Sequence, residues 1–181
     1  KKSEIRNPKS TAAAGWGEVL AEISERLRGA TQGSVAVVAS ARQTNEELYL
    51  LGKLAKKLGA LMVHYSTDYV FDGTKTLPYV ETDAPNPLGA YGRSKLEGDR
   101  AVKASGADHL IFRLCWVYGA RGQNFMLTMQ RLARERGKLR VVGDQFGCPT
   151  WSRMIAETTA LALKQVLAGA DRSVYNGEYH L

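Results

Sequence analysis

Apolar residues are arranged along the chain in two patterns, one typical of helices and one typical of buried strands. The helical period runs over Trp16–Arg28, and Gly29 follows as a stop. Ser34–Ser40 is instead a short, continuous run rich in valine, which is typical of a strand buried on both faces. A second apolar stripe begins after Thr44 and ends at Gly59. The pattern predicts a helix, a strand and a second helix.

The rest of the chain continues this alternation. An apolar run at Leu61–Tyr65 directly follows the second helix, and a loop rich in Gly, Pro and Asp spans Asp72–Pro87. The remaining predicted elements are a helix at about Leu88–Ser105, a strand at His109–Trp116, a basic helix at Asn124–Arg136, a short strand at Leu139–Val142, a helix at about Ser152–Leu167 and a strand at Glu178–Leu181. Strand–helix–strand order with short joints builds parallel sheets. We therefore predict an α/β fold, a Rossmann-like parallel sheet with helices on both faces.

Length and composition bound the organisation of the chain. Its 181 residues, 44% of them hydrophobic and 24% charged, suit one globular domain, predicted over 16–181 after a flexible segment at 1–15. A formal net charge of +7 favours an anionic partner. No run approaches the roughly 18 apolar residues that span a bilayer, and no apolar secretion signal is present. These features predict a cytoplasmic protein without a membrane partner.

Metal chemistry and nucleic-acid binding have little support. Two cysteines and three histidines show no spacing typical of metal ligands, so no metal site is predicted. The stretch Arg121–Arg140 is basic but lacks interleaved aromatic residues and any readout motif. A solvated helix face is therefore favoured over a nucleic-acid interface, and no nucleic-acid partner is predicted.

A tyrosine and a lysine provide candidate chemistry. Tyr91 and Lys95 stand one turn apart at a predicted helix start, and Thr67 follows a predicted buried strand. Tyrosine ionises near a pH of about 10, and a neighbouring cation stabilises the phenolate, which suits general acid catalysis. Tyr49 and Lys53 show the same spacing in the middle of the second predicted helix. Chance alone gives about 0.5 pairs of a tyrosine and a lysine four residues apart in a chain of this composition, so the spacing by itself is a weak signal.

Several ordered motifs together are far more specific. They are Ser66–Gly73 (STDYVFDG), Asn86–Lys95 (NPLGAYGRSK), Arg113–Gly119 (RLCWVYG), Asn124–Phe125 and Asp144–Thr150 (DQFGCPT). The chain over about Leu61–Leu181 resembles the dTDP-4-dehydrorhamnose reductases, which are extended short-chain dehydrogenases/reductases.

This resemblance implies roles for individual residues. It makes Tyr91 the proton donor and a cofactor-binding residue, Lys95 the residue that lowers the pKa of Tyr91 and contacts the nicotinamide ribose, and Thr67 the third catalytic residue. Thr67, Asp68 and Trp116 match positions that hold the sugar nucleotide, although a turn cap or a core aromatic would explain them too. The implied cofactor is NADPH or NADH and the implied partner is a dTDP-sugar. A homodimer stays open, because the residues of the family's magnesium-linked dimerisation are not identifiable.

The first sixty residues depart from that pattern. The chain has no glycine-rich turn after a first strand, where the family receives the cofactor pyrophosphate. Ser40 and Ala41 are assigned to the cofactor by position alone. Trp16–Ala60 instead resembles the large subunit of bacterial NADH-quinone oxidoreductase, but it lacks the residues that would bind iron–sulfur clusters there. This second resemblance indicates a chimera, a recombined gene or a fragment.

Two functions follow from these expectations. The first is NAD(P)H-dependent reduction of the 4-keto group of dTDP-4-dehydro-L-rhamnose to dTDP-L-rhamnose, by an intact or truncated reductase. The alternative is a non-catalytic module that binds a sugar nucleotide, or another partner, without binding the cofactor.

Overall fold

A computed structural model describes residues 15–31, 34–35, 37–38 and 43–181. The expected flexible segment lies outside these residues except for Gly15. The helices are α1 (Trp16–Arg28), α2 (Asn45–Leu58), α3 (Ala90–Ser105), α4 (Phe125–Glu135) and α5 (Ser152–Ala168). The strands are β1 (Val37–Val38), β2 (Met62–Thr67), β3 (His109–Leu114), β4 (Val117–Tyr118), β5 (Thr150–Trp151) and β6 (Gly177–His180).

Local sequence sets the ends of α2. The Thr44 hydroxyl accepts a hydrogen bond from the Glu47 amide at 3.2 Å, and the Glu47 carboxylate accepts one from the Thr44 amide at 2.9 Å. This reciprocal pair satisfies two amides that the helix leaves free. At the other end Gly59 adopts a left-handed conformation with φ of 60°, which glycine allows without strain.

The main sheet is parallel, with the strand order β1-β2-β3-β6. Its two faces bury different side chains. Met62 and Ile111 pack with α2 and α3 through Leu48, Ala55 and Val102. The opposite face buries a second cluster against α5, which consists of Leu61, Val63, Leu110, Phe112 and Val166. The predicted α/β sheet with helices on both faces is confirmed.

Three expectations at the level of single elements need correction. Leu139–Val142 is not a strand, because this segment pairs with no strand among the described residues and Val141 and Val142 are exposed. The strand expected at His109–Trp116 ends at Leu114, and Val117–Tyr118 pairs instead with Thr150–Trp151. Of the strand expected at Ser34–Ser40, the structure describes residues 34, 35, 37 and 38. Strand pairing is present at Val37–Val38, which is β1.

The helix α1 matches its prediction residue for residue, yet none of its side chains is buried. Among the described residues, no helix combines the length and the apolar character needed to cross a membrane.

Candidate active site

The carboxyl end of β2 and the start of α3 bring the predicted catalytic residues to one edge of the sheet. Thr67 is the last residue of β2, and Tyr91 and Lys95 lie on the first turns of α3. The Lys95 ammonium donates a hydrogen bond to the Tyr65 carbonyl oxygen at 2.7 Å, so the lysine is fixed to the end of the strand. Ligands bind at the carboxyl ends of strands in open α/β sheets. This edge is therefore the candidate active site.

Tyr91 and Lys95 differ sharply in exposure. Tyr91 is 58% exposed, whereas Lys95 is 8% exposed. Burial lowers the pKa of Lys95 below its usual range, and the negative charge of Asp99 opposes that shift. A phenol open to a substrate therefore stands one helical turn from a cation enclosed by protein.

A close packing contact joins the turn after β2 to α3. The rings of Tyr69 and Tyr91 meet edge to face with centroids 5.9 Å apart. A β-carbon added at Gly92 would lie 2.1 Å from the Tyr69 carbonyl oxygen, so glycine lets the helix approach the turn backbone. This approach places Tyr91 beside the end of β2.

Thr67 is buried and already has hydrogen-bond partners. Its hydroxyl accepts from the Tyr69 amide at 3.2 Å and donates to the Asp68 carboxylate at 3.2 Å, which caps the short 3₁₀ turn Asp68–Val70. A ligand carbonyl at this position would receive the Thr67 hydrogen bond in place of Asp68. The turn cap is thus present, and a catalytic role for Thr67 stays a prediction.

Asp68 and Trp116 lie on neighbouring turns of the same edge. Asp68 hydrogen-bonds the Cys115 thiol, which links the turn after β2 to the turn after β3. Trp116 adopts a left-handed conformation with φ of 40°, which is strained for a tryptophan, and its ring is half-exposed beside Gly147. The two predicted sugar-nucleotide residues are therefore adjacent in the fold, and their roles stay predictions.

The cofactor residues predicted from position lie outside the described residues. Ser40 and Ala41 follow β1, of which the structure describes Val37 and Val38.

A buried polar cluster beneath the edge was not predicted. Asp99 lies one turn beyond Lys95 and is fully buried with His64, Ser66 and Arg113 around it. The sequence held a signal for it, since Lys95 and Asp99 share one helix face with Leu96 and Val102 close by, and His64 stands inside a buried strand. Charged residues at that spacing also fit a solvated face, which is why the pattern alone did not identify them.

The environment of Cys115 predicts its reactivity. Burial, followed by the hydrogen bond with Asp68, raises the pKa of the Cys115 thiol to about 12, whereas Cys148 is exposed. Since the thiolate is the nucleophile, iodoacetamide near neutral pH should modify Cys148 and spare Cys115 in the folded chain. Peptide mass spectrometry measures both sites, with Cys148→Ser as the control. Equal modification of Cys115 would contradict the described packing.

The geometry defines a class of protein. A parallel sheet covered on both faces, with a tyrosine–lysine pair beside the carboxyl end of a strand, is a Rossmann-like domain of the short-chain dehydrogenase/reductase type. The chain belongs to the RmlD substrate binding domain family, whose model matches residues 36–181. That match includes α2 and begins upstream of Leu61. The resemblance of Trp16–Ala60 to the NADH-quinone oxidoreductase subunit stays a prediction.

Individual relatives agree with this assignment. The chain is 52% identical over 148 residues to the dTDP-4-dehydrorhamnose reductase of Burkholderia thailandensis, which covers 79% of this chain and 49% of that relative. The reductase structure from Clostridium acetobutylicum matches with a TM-score of 0.66 at 34% identity, over 81% of this chain and 55% of that one. The structure of the Bacillus anthracis reductase in complex with NADP matches with a TM-score of 0.68 at 28% identity, over 91% of this chain and 59% of that one. The chain thus spans about half the length of these relatives.

Proposed function

We propose that the chain reduces the 4-keto group of dTDP-4-dehydro-L-rhamnose to dTDP-L-rhamnose with NADPH or NADH. The observation that carries this proposal is the placement of Tyr91 and Lys95 at the end of β2, with Lys95 held by the Tyr65 carbonyl. Relatives that are named dTDP-4-dehydrorhamnose reductases support the choice of substrate. One of the matched reductases is in complex with NADP, which supports the cofactor.

The residues at this edge fit the nicotinamide end of the cofactor. Lys95 reaches the strand end as a buried cation, and Tyr91 stands open beside it. When bound there, a nicotinamide cofactor supplies a hydride.

The chain's own residues then donate the proton and bind the substrate. Tyr91 donates its phenolic proton to the oxygen at C4 as that carbon accepts the hydride. Lys95 places positive charge near the phenolate that forms. Thr67 donates a hydrogen bond to the same oxygen, and Asp68 and Trp116 border the sugar nucleotide. The products are the C4 alcohol and the oxidised cofactor, so protons and electrons balance.

The direct assay follows NADPH oxidation by the purified chain with dTDP-4-dehydro-L-rhamnose present or absent. Oxidation that depends on the sugar and exceeds that of a Tyr91→Phe variant supports the proposal. Substrate-dependent oxidation no greater than that of Tyr91→Phe would contradict it.

A second candidate is a sugar-nucleotide-binding module without cofactor binding. Such a module would use Thr67, Asp68 and Trp116, whose predicted contacts are with the sugar nucleotide rather than with the cofactor. Calorimetric titrations with dTDP and NADPH separate the two. Saturable dTDP binding without NADPH binding selects the module, and binding of both selects the reductase.

Location and assembly also belong to this proposal. We place the protein in the cytoplasm without nucleic-acid or membrane partners, and a homodimer stays open. The basic helix α4 is consistent with a solvated face, since Arg131 pairs with Glu135 at 3.0 Å on its exposed surface.

A further inference from the structure

A buried carboxylate lies one helical turn beyond Lys95 on α3. Asp99 is 0% exposed and stands four residues beyond Lys95 on α3, so both side chains lie on the face that packs against β2. They contact consecutive residues of that strand. Lys95 donates to the Tyr65 carbonyl at 2.7 Å, and Asp99 accepts from the Ser66 hydroxyl at 2.8 Å.

Polar and chargeable groups from three strands surround Asp99 or its neighbour Arg113. From β2, the Ser66 hydroxyl donates to Oδ2 and His64 Nε2 lies 3.3 Å from Oδ1. From β3, Arg113 Nε lies 3.8 Å from Oδ2, and the same guanidinium bonds Glu178 of β6 at 2.9 Å. A buried charge is tolerated when it is paired. Arg113 supplies a permanent positive charge beside this carboxyl, and Ser66 hydrogen-bonds one of its two oxygens.

The contact with His64 is close without being a hydrogen bond. Within the described part of the chain, both ring nitrogens of His64 and Oδ1 of Asp99 lack a hydrogen-bond partner. Oδ1 is therefore the carboxylate oxygen that accepts no hydrogen bond, and its charge acts on neighbouring groups by electrostatic interaction alone.

Lys95 needs such a charge. A largely buried ammonium loses hydration and tends to release its proton, unless an opposite charge stabilises it. Its hydrogen bond to the neutral Tyr65 carbonyl fixes its direction but supplies no net charge. Asp99 is the acidic side chain one turn away on the same buried helix face.

We propose that Asp99 is a positioning residue for Lys95, whose buried carboxylate supplies the counter-charge that keeps the lysine ammonium charged at the end of β2. The consequence for catalysis rests on the proposed reductase function, because the charged lysine is what assists proton donation by Tyr91. The electrostatic pairing itself does not depend on turnover.

NMR titration of the lysine side chains tests the pairing in the whole chain. With Lys95 assigned through its loss in Lys95→Met, Asp99→Asn should move the Lys95 titration midpoint to lower pH. The matched control is Glu97→Gln, an exposed acid on α3 that pairs with Arg100, which should leave that midpoint in place. An unmoved midpoint in folded Asp99→Asn would overturn the proposal.

A reciprocal variant covers the case in which Asp99→Asn does not fold. Coupling between two groups is mutual, so Lys95→Met should move the titration of the Asp99 carboxyl carbon to higher pH. An Asp99 titration that is the same in both proteins overturns the proposal.

Turnover supplies a readout that separates this inference from the proposed function. In an active enzyme, Asp99→Asn should move the alkaline limb of the kcat profile to lower pH, with little change in KM for the sugar nucleotide. If the wild-type chain has no turnover but Asp99→Asn still lowers the Lys95 titration midpoint, the reductase function is contradicted and the pairing of Asp99 with Lys95 is supported.

Discussion

Replacement of Tyr91 with phenylalanine is expected to lower turnover of the 4-keto sugar nucleotide by about 10²–10⁴-fold, which is the usual contribution of a general acid. The ring is 58% exposed, so loss of its hydroxyl should leave the packing intact and the variant should fold normally. Steady-state kcat measures the loss. Binding of the sugar nucleotide should change little, because the proton is transferred only during reduction.

The chain provides a matched control for this substitution. Tyr49 has a lysine four residues on, as Tyr91 does, and the Lys53 ammonium lies 5.1 Å from the centre of its ring. It stands in the middle of α2, away from the ends of the strands, so Tyr49→Phe should leave turnover unchanged. Similar losses in both variants, or none in Tyr91→Phe, would remove Tyr91 as the proton donor.

Gly92→Ala is expected to destabilise the chain and to displace Tyr91. The new β-carbon would lie 2.1 Å from the Tyr69 backbone carbonyl oxygen, which no side-chain rotation can relieve. Overpacking of this kind costs about 1–3 kcal/mol of unfolding free energy. Denaturant unfolding measures that loss, and kcat should fall with it because the start of α3 must move away from β2.

Gly98→Ala on the same helix is the control for that substitution. Alanine has a higher helix propensity than glycine, by up to about 1 kcal/mol in a helix interior, and both positions lie within α3. At Gly98 the nearest atoms are the ends of the Leu48 and Asn45 side chains, at 3.1 and 3.3 Å, which can move aside. Gly98→Ala should therefore be clearly less destabilising. Equal stability of the two variants would show that the close approach at Gly92 is not a constraint.

The main sheet was predictable because local signals and burial agree there. Thr44 and Gly59 mark both ends of α2, and the continuous apolar run of β2 indicates a strand covered on both faces. The signal failed where an apolar run pairs with no strand in the described part of the chain, as at Val141 and Val142. The short pairing of β4 with β5 was missed because it joins residues more than thirty positions apart through two-residue segments.

The candidate site shows the same division. The placement of Tyr91, Lys95 and Thr67 at one edge of the sheet was predictable, because they stand in motifs beside strand ends. Asp99 was not, since a charged residue in a helix is exposed far more often than buried. Its burial depends on groups from β2 and β3, which only the folded sheet brings around it.

Transfer of deuterium from NADPH labelled at the transferable position of its nicotinamide ring tests the central claim most directly. The purified chain is mixed with that cofactor and dTDP-4-dehydro-L-rhamnose, and the sugar nucleotide is analysed by NMR and mass spectrometry. The proposed reduction predicts dTDP-L-rhamnose with one deuterium on C4, and none of this product with Tyr91→Phe beyond its small residual turnover. Unlabelled product, or substrate recovered unchanged, would contradict it.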